Sequence, residues 1–293
     1  MKKLTMLILT LTCSVTIMAQ GHGLSIGIKG GLSDWKAKDV SSSSLGGYAG
    51  VDIGYQCMWR MQQEIYIGLR TGAGIAYQTG SYTVPANSQF TNTDYLGNQM
   101  DYSIRADVKA DTRQLNVDIP IMFATRIYGF ALNIGPRLHF PVYDTYKQEL
   151  SNTNVDVYYP RYDIPIHNDP SLAKWNTADM KSDGNKAQPI VMLSLSAEIG
   201  YEWALHDWYT YGSEQYIGLQ LFVDYGLWGT YAKTKSSMMT VEPISGAGQI
   251  PEINVGNIAD AGVLAKPLTF GVRLYYTFQS TDYSGHGWNR GRR

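Results

Sequence analysis

The chain has 293 residues, a formal net charge of -1 and a pI near 6.5, which gives no argument for binding to nucleic acid. It contains 30 Gly and 22 Tyr, its aromatic content is 12%, and only 17% of its residues are charged. This composition favours strands and aromatic interfaces over helices. The length alone would suggest about two domains, but all-β barrels of this length commonly form one.

The first residues, "MKKLTMLILTLTCSVTIMAQ", combine a basic start, an apolar stretch from Leu4 to Met18 and a small residue, Ala19. This pattern predicts a secretory signal peptide over residues 1–19, which is removed and excluded from the fold. A membrane anchor is a weaker interpretation because the apolar run is short and contains Thr and Ser. Loss of Cys13 with the signal peptide would leave Cys57 alone, so no intramolecular disulfide is expected.

After residue 20, side chains alternate between apolar and polar, and no segment has a sustained helical period or the unbroken apolar length of a membrane-spanning helix. This alternation predicts eight strands. They are placed at 23–35, 46–59, 63–80, 112–126, 129–143, 188–204, 214–230 and 266–279.

The connections between these strands alternate in length. Those at 60–62 and 127–128 are tight, whereas 81–111, 144–187 and 231–265 are long and rich in Ser, Asn, Asp, Gly and Pro. Short turns at one rim and long loops at the other are typical of outer-membrane barrels, and a Greek-key sandwich would not predict such regularity. We therefore expect three long extracellular loops, with Asn92 on an exposed part of the first.

Each predicted strand has one apolar face, exemplified by "FGVRLYYTF" at 270–278, where Phe270, Val272, Leu274, Tyr276 and Phe278 share a face. The opposite faces carry charges, and in a membrane barrel these point into the lumen. The predicted lumen set is Lys29, Asp52, Glu64, Arg70, Asp118, Arg137, Glu198, Glu202, Asp224 and Arg273. Ten large charged groups in so narrow a barrel predict a lumen plugged by side chains.

Alternation alone also permits a soluble lipocalin-like barrel with the apolar face inside. Aromatic placement separates the two interpretations, because aromatic residues end the apolar faces at both rims and would form two interfacial girdles. At one rim these are Tyr55, Trp59, Tyr201, Trp203, Tyr276 and Phe278, and at the other Tyr77, Phe140 and Tyr225. The sequence therefore predicts an all-β, eight-stranded antiparallel transmembrane up-and-down barrel.

The segments "TRQLNVDIPIMFATRI", "GFALNIGPRLHFPVY", "SLSAEIGYEW", "LFVDYGLWGTYAK" and "FGVRLYYTF" resemble, in order, the outer membrane protein β-barrel domain family, including its PorT-like members. The most telling matches are Asp118, Ile119 and Pro120, and the pair Gly135 and Pro136. The resemblance covers about residues 23–279. It implies an eight-stranded barrel in the outer membrane of a Gram-negative bacterium, and some members are associated with protein secretion or surface organisation. The chain departs from this pattern in continuing past Phe278, through a basic tail at 280–293.

Few residues suggest chemistry. His139 is predicted on the lumen face beside Arg137, but no Ser lies at a recognisable motif spacing from any His. Asp163, His167 and Asp169 lie within one predicted loop and could in principle hold a divalent ion, although polar loops commonly collect such residues. Cys57 is expected to be a small apolar residue on the lipid face near Trp59.

From these observations we expect a monomeric outer-membrane barrel, with residues 20–279 as its barrel and 280–293 as a disordered periplasmic tail. No enzyme activity, catalytic residue, cofactor or metal site is predicted. The expected partners are outer-membrane lipid and a surface ligand or envelope protein that binds the loops 81–111, 144–187 and 231–265. The alternatives are a small-solute porin, a secretion-associated barrel component and, less favoured, a barrel lipid hydrolase.

Overall fold

The structure is a computed structural model that describes residues 21–36, 40–62, 64–176, 191–205, 213–228, 238–242, 246–256, 258 and 265–281. The predicted signal peptide at 1–19 lies outside these residues, as does the tail beyond 281. Within the described residues the only helical segment is a short 3-10 turn, Pro170–Leu172. No helix in this part of the chain is long and apolar enough to cross a membrane.

Eight antiparallel strands close into a barrel, each paired with its two neighbours in the chain and the last paired with the first. Closure leaves no strand edge along the barrel wall, as a barrel immersed in lipid requires. The strands are β1 (Gly21–Lys36), β2 (Gly46–Gln62), β3 (Ile65–Thr93), β4 (Gln99–Ile127), β5 (Phe130–Tyr159), β6 (Met192–Ala204), β7 (Ser213–Gly226) and β8 (Lys266–Thr281).

The predicted tight turns lie together at one end of the barrel, here called the turn end. Between β4 and β5 only Tyr128 and Gly129 intervene, and both have positive φ, 49° and 85°. This two-residue geometry is typical of hairpins because its twist matches that of the strands. It places Ile127 opposite Phe130 and Asp118 opposite His139.

The predicted inside and outside of the barrel are confirmed. On β3, Ile67, Leu69, Ile75 and Tyr77 face outward, and Ile75 is 52% exposed, whereas Arg70 and Gln78 are buried in the lumen. From Ile65 to Tyr77 the strand runs about 40 Å, or about 30 Å along the axis of a barrel whose strands tilt by about 40°. That height matches the hydrocarbon core of a bilayer.

Aromatic side chains end the outward face at both rims, as predicted. Trp203, Tyr276 and Phe278 are exposed near the turn end, and Tyr77, Phe140 and Tyr225 near the other. Tyr201 is half-buried and packs edge-on against Phe130, with their ring centroids 5.1 Å apart. The outer surface of the barrel is therefore an apolar band bordered by aromatic rings.

The largest difference from the sequence prediction lies beyond this band. The segment 81–111 is not a loop, because β3 continues to Thr93, a five-residue turn follows, and β4 begins at Gln99. Along this extension the polarity of the two faces reverses. The inward face changes from Arg70 and Gln78 to Tyr82, Val84 and Ala86, all buried, and the outward face changes from apolar residues to Ser, Thr, Asn and Gln.

The same reversal occurs on β4 and β5. On β4 the inward residues Ile104, Ala106 and Val108 are buried and apolar, whereas Gln114, Asn116 and Asp118 further along the strand are buried and polar. β5 also runs past the predicted end at 143 and reaches Tyr159. An inward apolar face needs an apolar partner to cover it, and an outward polar face needs water. The reversal therefore marks the level at which the barrel leaves the apolar environment.

We call the region beyond this level the cap: residues 79–113, 143–176, 238–242, 246–256 and 258. Its first layer is formed by the extended parts of β3, β4 and β5, and its second by three short strands, Lys174–Asn176, Met239–Val241 and Glu252–Val255. The connections predicted as loops at 144–187 and 231–265 thus contain strands in their described parts. Two more short strands extend the first layer, Ser42–Ser44 against β3 and Ile164–Ile166 against β5.

A single apolar core lies between the two layers of the cap. It extends down to Trp35 of β1 and to Ala265, just before β8, where it covers the mouth of the barrel. Among the described residues, its buried members are Trp35, Tyr82, Val84, Ala86, Met100, Tyr102, Ile104, Ala106, Val108, Ala110, Tyr146, Val155, Val157, Ala173, Met239, Ile253, Val255, Ile258 and Ala265. The cap is consequently a folded unit with a hydrophobic core of its own, not a set of mobile loops.

Candidate functional site

The lumen is occupied by a network of charged side chains centred on Glu198, which is fully buried. Arg137 Nη2 donates to Glu198 Oε1 at 2.8 Å, Arg70 pairs with Oε2, and Lys29 Nζ lies 3.5 Å from Oε1. Asn133 Nδ2 adds a hydrogen bond to Oε2 at 3.3 Å. A buried carboxylate is tolerated only with such partners, because desolvation of an isolated charge costs several kcal/mol.

Two aspartates extend this network across the lumen. Arg273 donates to both oxygens of Asp52, at 2.6 and 3.0 Å, and Arg70 Nη2 lies 3.3 Å from Oδ1 of the same carboxylate. Asp224 accepts hydrogen bonds from Arg137 Nη1 and from the Ser196 hydroxyl. Arg70 and Arg137 each bridge two carboxylates, so the network links opposite walls of the barrel.

Towards the turn end, Arg126 forms a second cluster that the sequence analysis missed. Arg126 Nη1 lies 3.2 Å from Glu202 Oε2, and its guanidinium lies over the rings of Tyr66 and Tyr216, 4.4 Å from each centroid. Tyr275 donates to the other oxygen of Glu202 at 2.6 Å. Strand parity could have revealed Arg126, because it shares the inward face of β4 with Asp118.

Glu64 was predicted in the lumen, and this prediction is wrong. It lies in the turn between β2 and β3, is exposed and has a φ of 64°. The other nine predicted lumen charges are all buried, and with Arg126 they give five carboxylates and five bases within the barrel wall. A further buried carboxylate, Asp144, lies opposite Gln114 at the base of the cap.

At the cap end of the lumen, His139 lies between an acid and a hydroxyl. Its Nδ1 is 2.7 Å from Asp118 Oδ1 and its Nε2 is 2.8 Å from Ser194 Oγ. The three residues lie on β4, β5 and β6 and are all buried. They form one chain of hydrogen bonds across three strands, which no sequence spacing indicated.

The end of the cap furthest from the barrel, here called the apex, is formed by all three long connections. Asp94 Oδ1 accepts the backbone N–H groups of Leu96 and Asn98, both at 2.8 Å, which closes the turn between β3 and β4. Asn98 accepts in turn from Arg161 Nη1 at 2.9 Å, and Gly248 N donates to Thr93 O at 2.9 Å. These hydrogen bonds leave Tyr95, Leu96, Tyr162 and Ile250 exposed.

The Asp94 carboxylate accepts hydrogen bonds from the Asn98 side chain and from backbone N–H groups, and these hold its pKa below the ordinary value. The largest contribution is the side-chain hydrogen bond from Asn98, followed by the backbone N–H groups of the turn. The carboxylate is thus kept in the charged form that the turn requires. The apex is a hydrogen-bonded surface that presents apolar and aromatic side chains to solvent.

The residues weighed as metal ligands do not converge. Asp163 accepts from Tyr158, His167 lies 3.4 Å from Asp156, and Asp169 caps the 3-10 turn by accepting from Ser171 N. No group of three potential ligands occurs among the residues that the structure describes. Cys57 lies on the outward-facing parity of β2, as predicted, but it is buried rather than exposed and has no disulfide partner among the described residues.

No family model and no curated protein matches this chain. Among solved structures, the chain is similar to the translocator domain of the autotransporter NalP from Neisseria meningitidis, with 8% sequence identity over 94% of this chain and 95% of that chain. The TM-score is 0.22, a value at which the similarity carries no argument. The fold is therefore assigned from strand pairing and burial in this chain alone.

Those observations define the class of protein. The closed ring of strands, the apolar outer band about as tall as a bilayer, the aromatic rims and the charged interior are together the features of a transmembrane β-barrel. The folded cap over one mouth distinguishes it from a barrel with simple loops.

Proposed function

We propose that this protein is a barrel of the outer membrane of a Gram-negative bacterium that holds a folded cap at the cell surface, where the apex binds a surface ligand or an envelope protein. The observation that carries this proposal is the reversal of polarity along β3, β4 and β5. It gives the cap a polar outside, an apolar core and a position beyond the lipid. A projection with a hydrophobic core of its own fits a binding or structural role better than it fits transport.

The filled lumen supports the same view and argues against the porin alternative. Eight strands enclose an interior that side chains can fill. Here Arg70 of β3 and Lys29 of β1 cross it to reach Glu198 of β6, and the cap core covers one mouth. Purified protein in a planar bilayer is expected to show no steady conductance on the nanosiemens scale. A stable open channel would contradict the filled lumen and favour the porin.

The binding role is tested by photo-crosslinking on intact cells. A photoreactive residue at Leu96, which is 67% exposed at the apex, should give a discrete adduct of higher mass. The matched control is the same residue at Asn87, which is exposed on the polar outer face of β3. Adducts at neither position, or equal adducts at both, would contradict recognition by the apex.

A further inference from the structure

Two lysines lie directly opposite each other on the outer surface of the barrel, next to the cap. Lys36 ends β1 and Lys266 begins β8, and the two form a cross-strand pair. They share the outward parity of Leu32 and Phe270, which are both exposed. Directly opposed side chains have Cβ atoms only about 5 Å apart, so two like charges in this position repel each other. We call Lys36 and Lys266 the lysine pair.

One acidic side chain offsets part of this charge. Asp34 Oδ2 lies 3.6 Å from Lys36 Nζ, on the same outward face. Lys266 forms no ion pair with an acidic side chain among the described residues. Two positive charges and one negative charge therefore leave this group with one net positive charge. The Lys266 ammonium is the group that an anion would bind first.

The lysine pair lies just beyond the aromatic rim of the apolar band. Tyr225 is paired with Leu268, and Leu268 is also paired with Asp34. Lys266 follows Leu268 by two residues on the same face, which is about 7 Å along the strand and about 5 Å along the barrel axis. The polar layer of a bilayer is about 5 to 7 Å thick on each side of the hydrocarbon core. The two ammonium groups are therefore at the level of the lipid head groups.

The opposite rim of the barrel has no such pair. At the turn end the outward faces finish in apolar and aromatic side chains such as Trp203 and Phe278, and the described strands carry no Lys or Arg on the outward face there. Arg60 is exposed at this end, but it shares the inward parity of Asp52 on β2. The lysine pair therefore faces only the leaflet beside the cap.

We propose that the lysine pair binds a phosphate group of a phosphorylated glycolipid in the outer leaflet. Each ammonium group donates charge-assisted hydrogen bonds to the phosphate oxygens, and the phosphate offsets the repulsion between the two lysines. A phosphate monoester carries about -1.5 to -2 charges at neutral pH, which matches two lysines. The acyl chains of the same lipid lie against Leu32, Leu268 and Phe270 on the apolar band. This inference rests on the proposed orientation, with the cap at the cell surface, and not on what the apex binds.

The test uses the purified, folded full chain in a non-ionic detergent, with bisphosphorylated lipid A as the probe and binding followed by native mass spectrometry. The parent should bind this lipid more tightly than the same lipid without its phosphates. The double variant Lys36→Gln with Lys266→Gln should weaken binding by about 20-fold, since each lysine at a charged lipid surface contributes about 5-fold. Lys266→Arg should retain binding because it keeps the charge.

The matched control is the double variant Arg113→Gln with Lys174→Gln, which removes the same number of positive charges. Arg113 is exposed just beyond Tyr77 and is paired with Thr79 and Thr145, so no second base lies directly opposite it. Lys174 lies in the second layer of the cap, away from the lipid. This control should bind the lipid within about 2-fold of the parent. Each variant is checked for its folded band shift on unboiled gels, so that loss of binding is scored only in folded protein.

Three results would overturn the proposal. These are equal binding of the lipid with and without phosphates, unchanged binding by the folded lysine variant, and an equal loss in the control variant. Inorganic phosphate at the same concentration should not displace the lipid, and displacement would indicate a site for a free anion instead. Because binding is measured on purified protein, its failure would leave the crosslinking at Leu96 unaffected, and a failure of that crosslinking would leave lipid binding unaffected.

Discussion

Arg137→Leu is the substitution that probes the lumen network most directly. Arg137 is fully buried and pairs with both Glu198 and Asp224. After its removal Glu198 retains Arg70 and Lys29, but among the described residues Asp224 retains only hydroxyl partners, Ser196 and Thr269. One buried carboxylate is therefore stranded, and breaking a buried pair in this way costs about 3 to 5 kcal/mol.

The free energy of unfolding is measured by urea titration of the barrel in detergent, followed by the band shift of the folded form. The matched control is Arg105→Leu, which removes an arginine–aspartate pair of 2.7 Å from the exposed surface of the cap. That variant should cost less than about 1 kcal/mol. The double variant Arg137→Leu with Asp224→Asn should recover part of the loss, because no unpaired charge remains. If Arg137→Leu were as mild as Arg105→Leu, the account of the lumen would be refuted.

Three further predictions concern the cap. Ile104 is fully buried in the cap core, so Ile104→Ala should lower the stability of the cap by about 2 to 5 kcal/mol, measured as faster hydrogen exchange in the cap. Ile121→Ala, on the outward face of the same strand, should leave hydrogen exchange in the cap unchanged. Asn92 was predicted to be exposed, but it is buried, and its Nδ2 donates to Gln249 O at 3.1 Å. Asn92→Ala should therefore weaken the neighbouring contact between Thr93 and Gly248 by about 1 kcal/mol, seen as faster hydrogen exchange of the Gly248 amide. The pKa of Asp156 is lowered, first by the backbone N–H of Asn168 and then by Arg105. The stability that the Asp156 carboxylate gives the cap should therefore be present above about pH 4 and decline as the pH falls through this lowered pKa. Asp156→Asn should remove that part of the decline, and an unchanged acid profile would contradict this assignment.

The barrel itself could be predicted from the sequence because period-two alternation survives wherever one face meets lipid and the other meets a polar lumen. The parity of Ile75 and Arg70 on β3 sufficed to place one outside and one inside. Glu64 was misplaced because parity has no meaning in a turn where the chain adopts a positive φ. Arg126 was overlooked although the same parity rule places it correctly.

The cap could not be predicted because its composition resembles that of loops. Alternation does continue through Tyr82, Val84 and Ala86 and through Ile104, Ala106 and Val108, but Ser, Asn, Pro and Asp occupy the other face. Those residues are turn formers in isolation and polar surface residues in a paired strand. Strand pairing with a cap core decided between the two, and such long-range packing has no local signal.

The hydrogen-bonded group of Asp118, His139 and Ser194 shows the same limit. The two-residue turn at Tyr128 and Gly129 fixes the register of β4 and β5, so the pairing of Asp118 with His139 could have been derived from the sequence. Ser194 could not have been placed in the same way. It lies on β6, which is joined to β5 by a long connection that leaves the register undetermined.

The central claim is that the apolar band is covered by lipid while the cap stands in water, and cysteine accessibility on intact cells tests it most directly. In a Cys57→Ala background, single cysteines replace Ile75 and Ile53 in the outward band, 52% and 63% exposed in the isolated chain, and Asn87 and Gln89 on the outward face of the cap. A membrane-impermeant maleimide should label Asn87→Cys and Gln89→Cys and spare Ile75→Cys and Ile53→Cys, although all four positions are accessible on the isolated barrel. Labelling of the band as fast as the cap, or failure to label the cap, would contradict the claim.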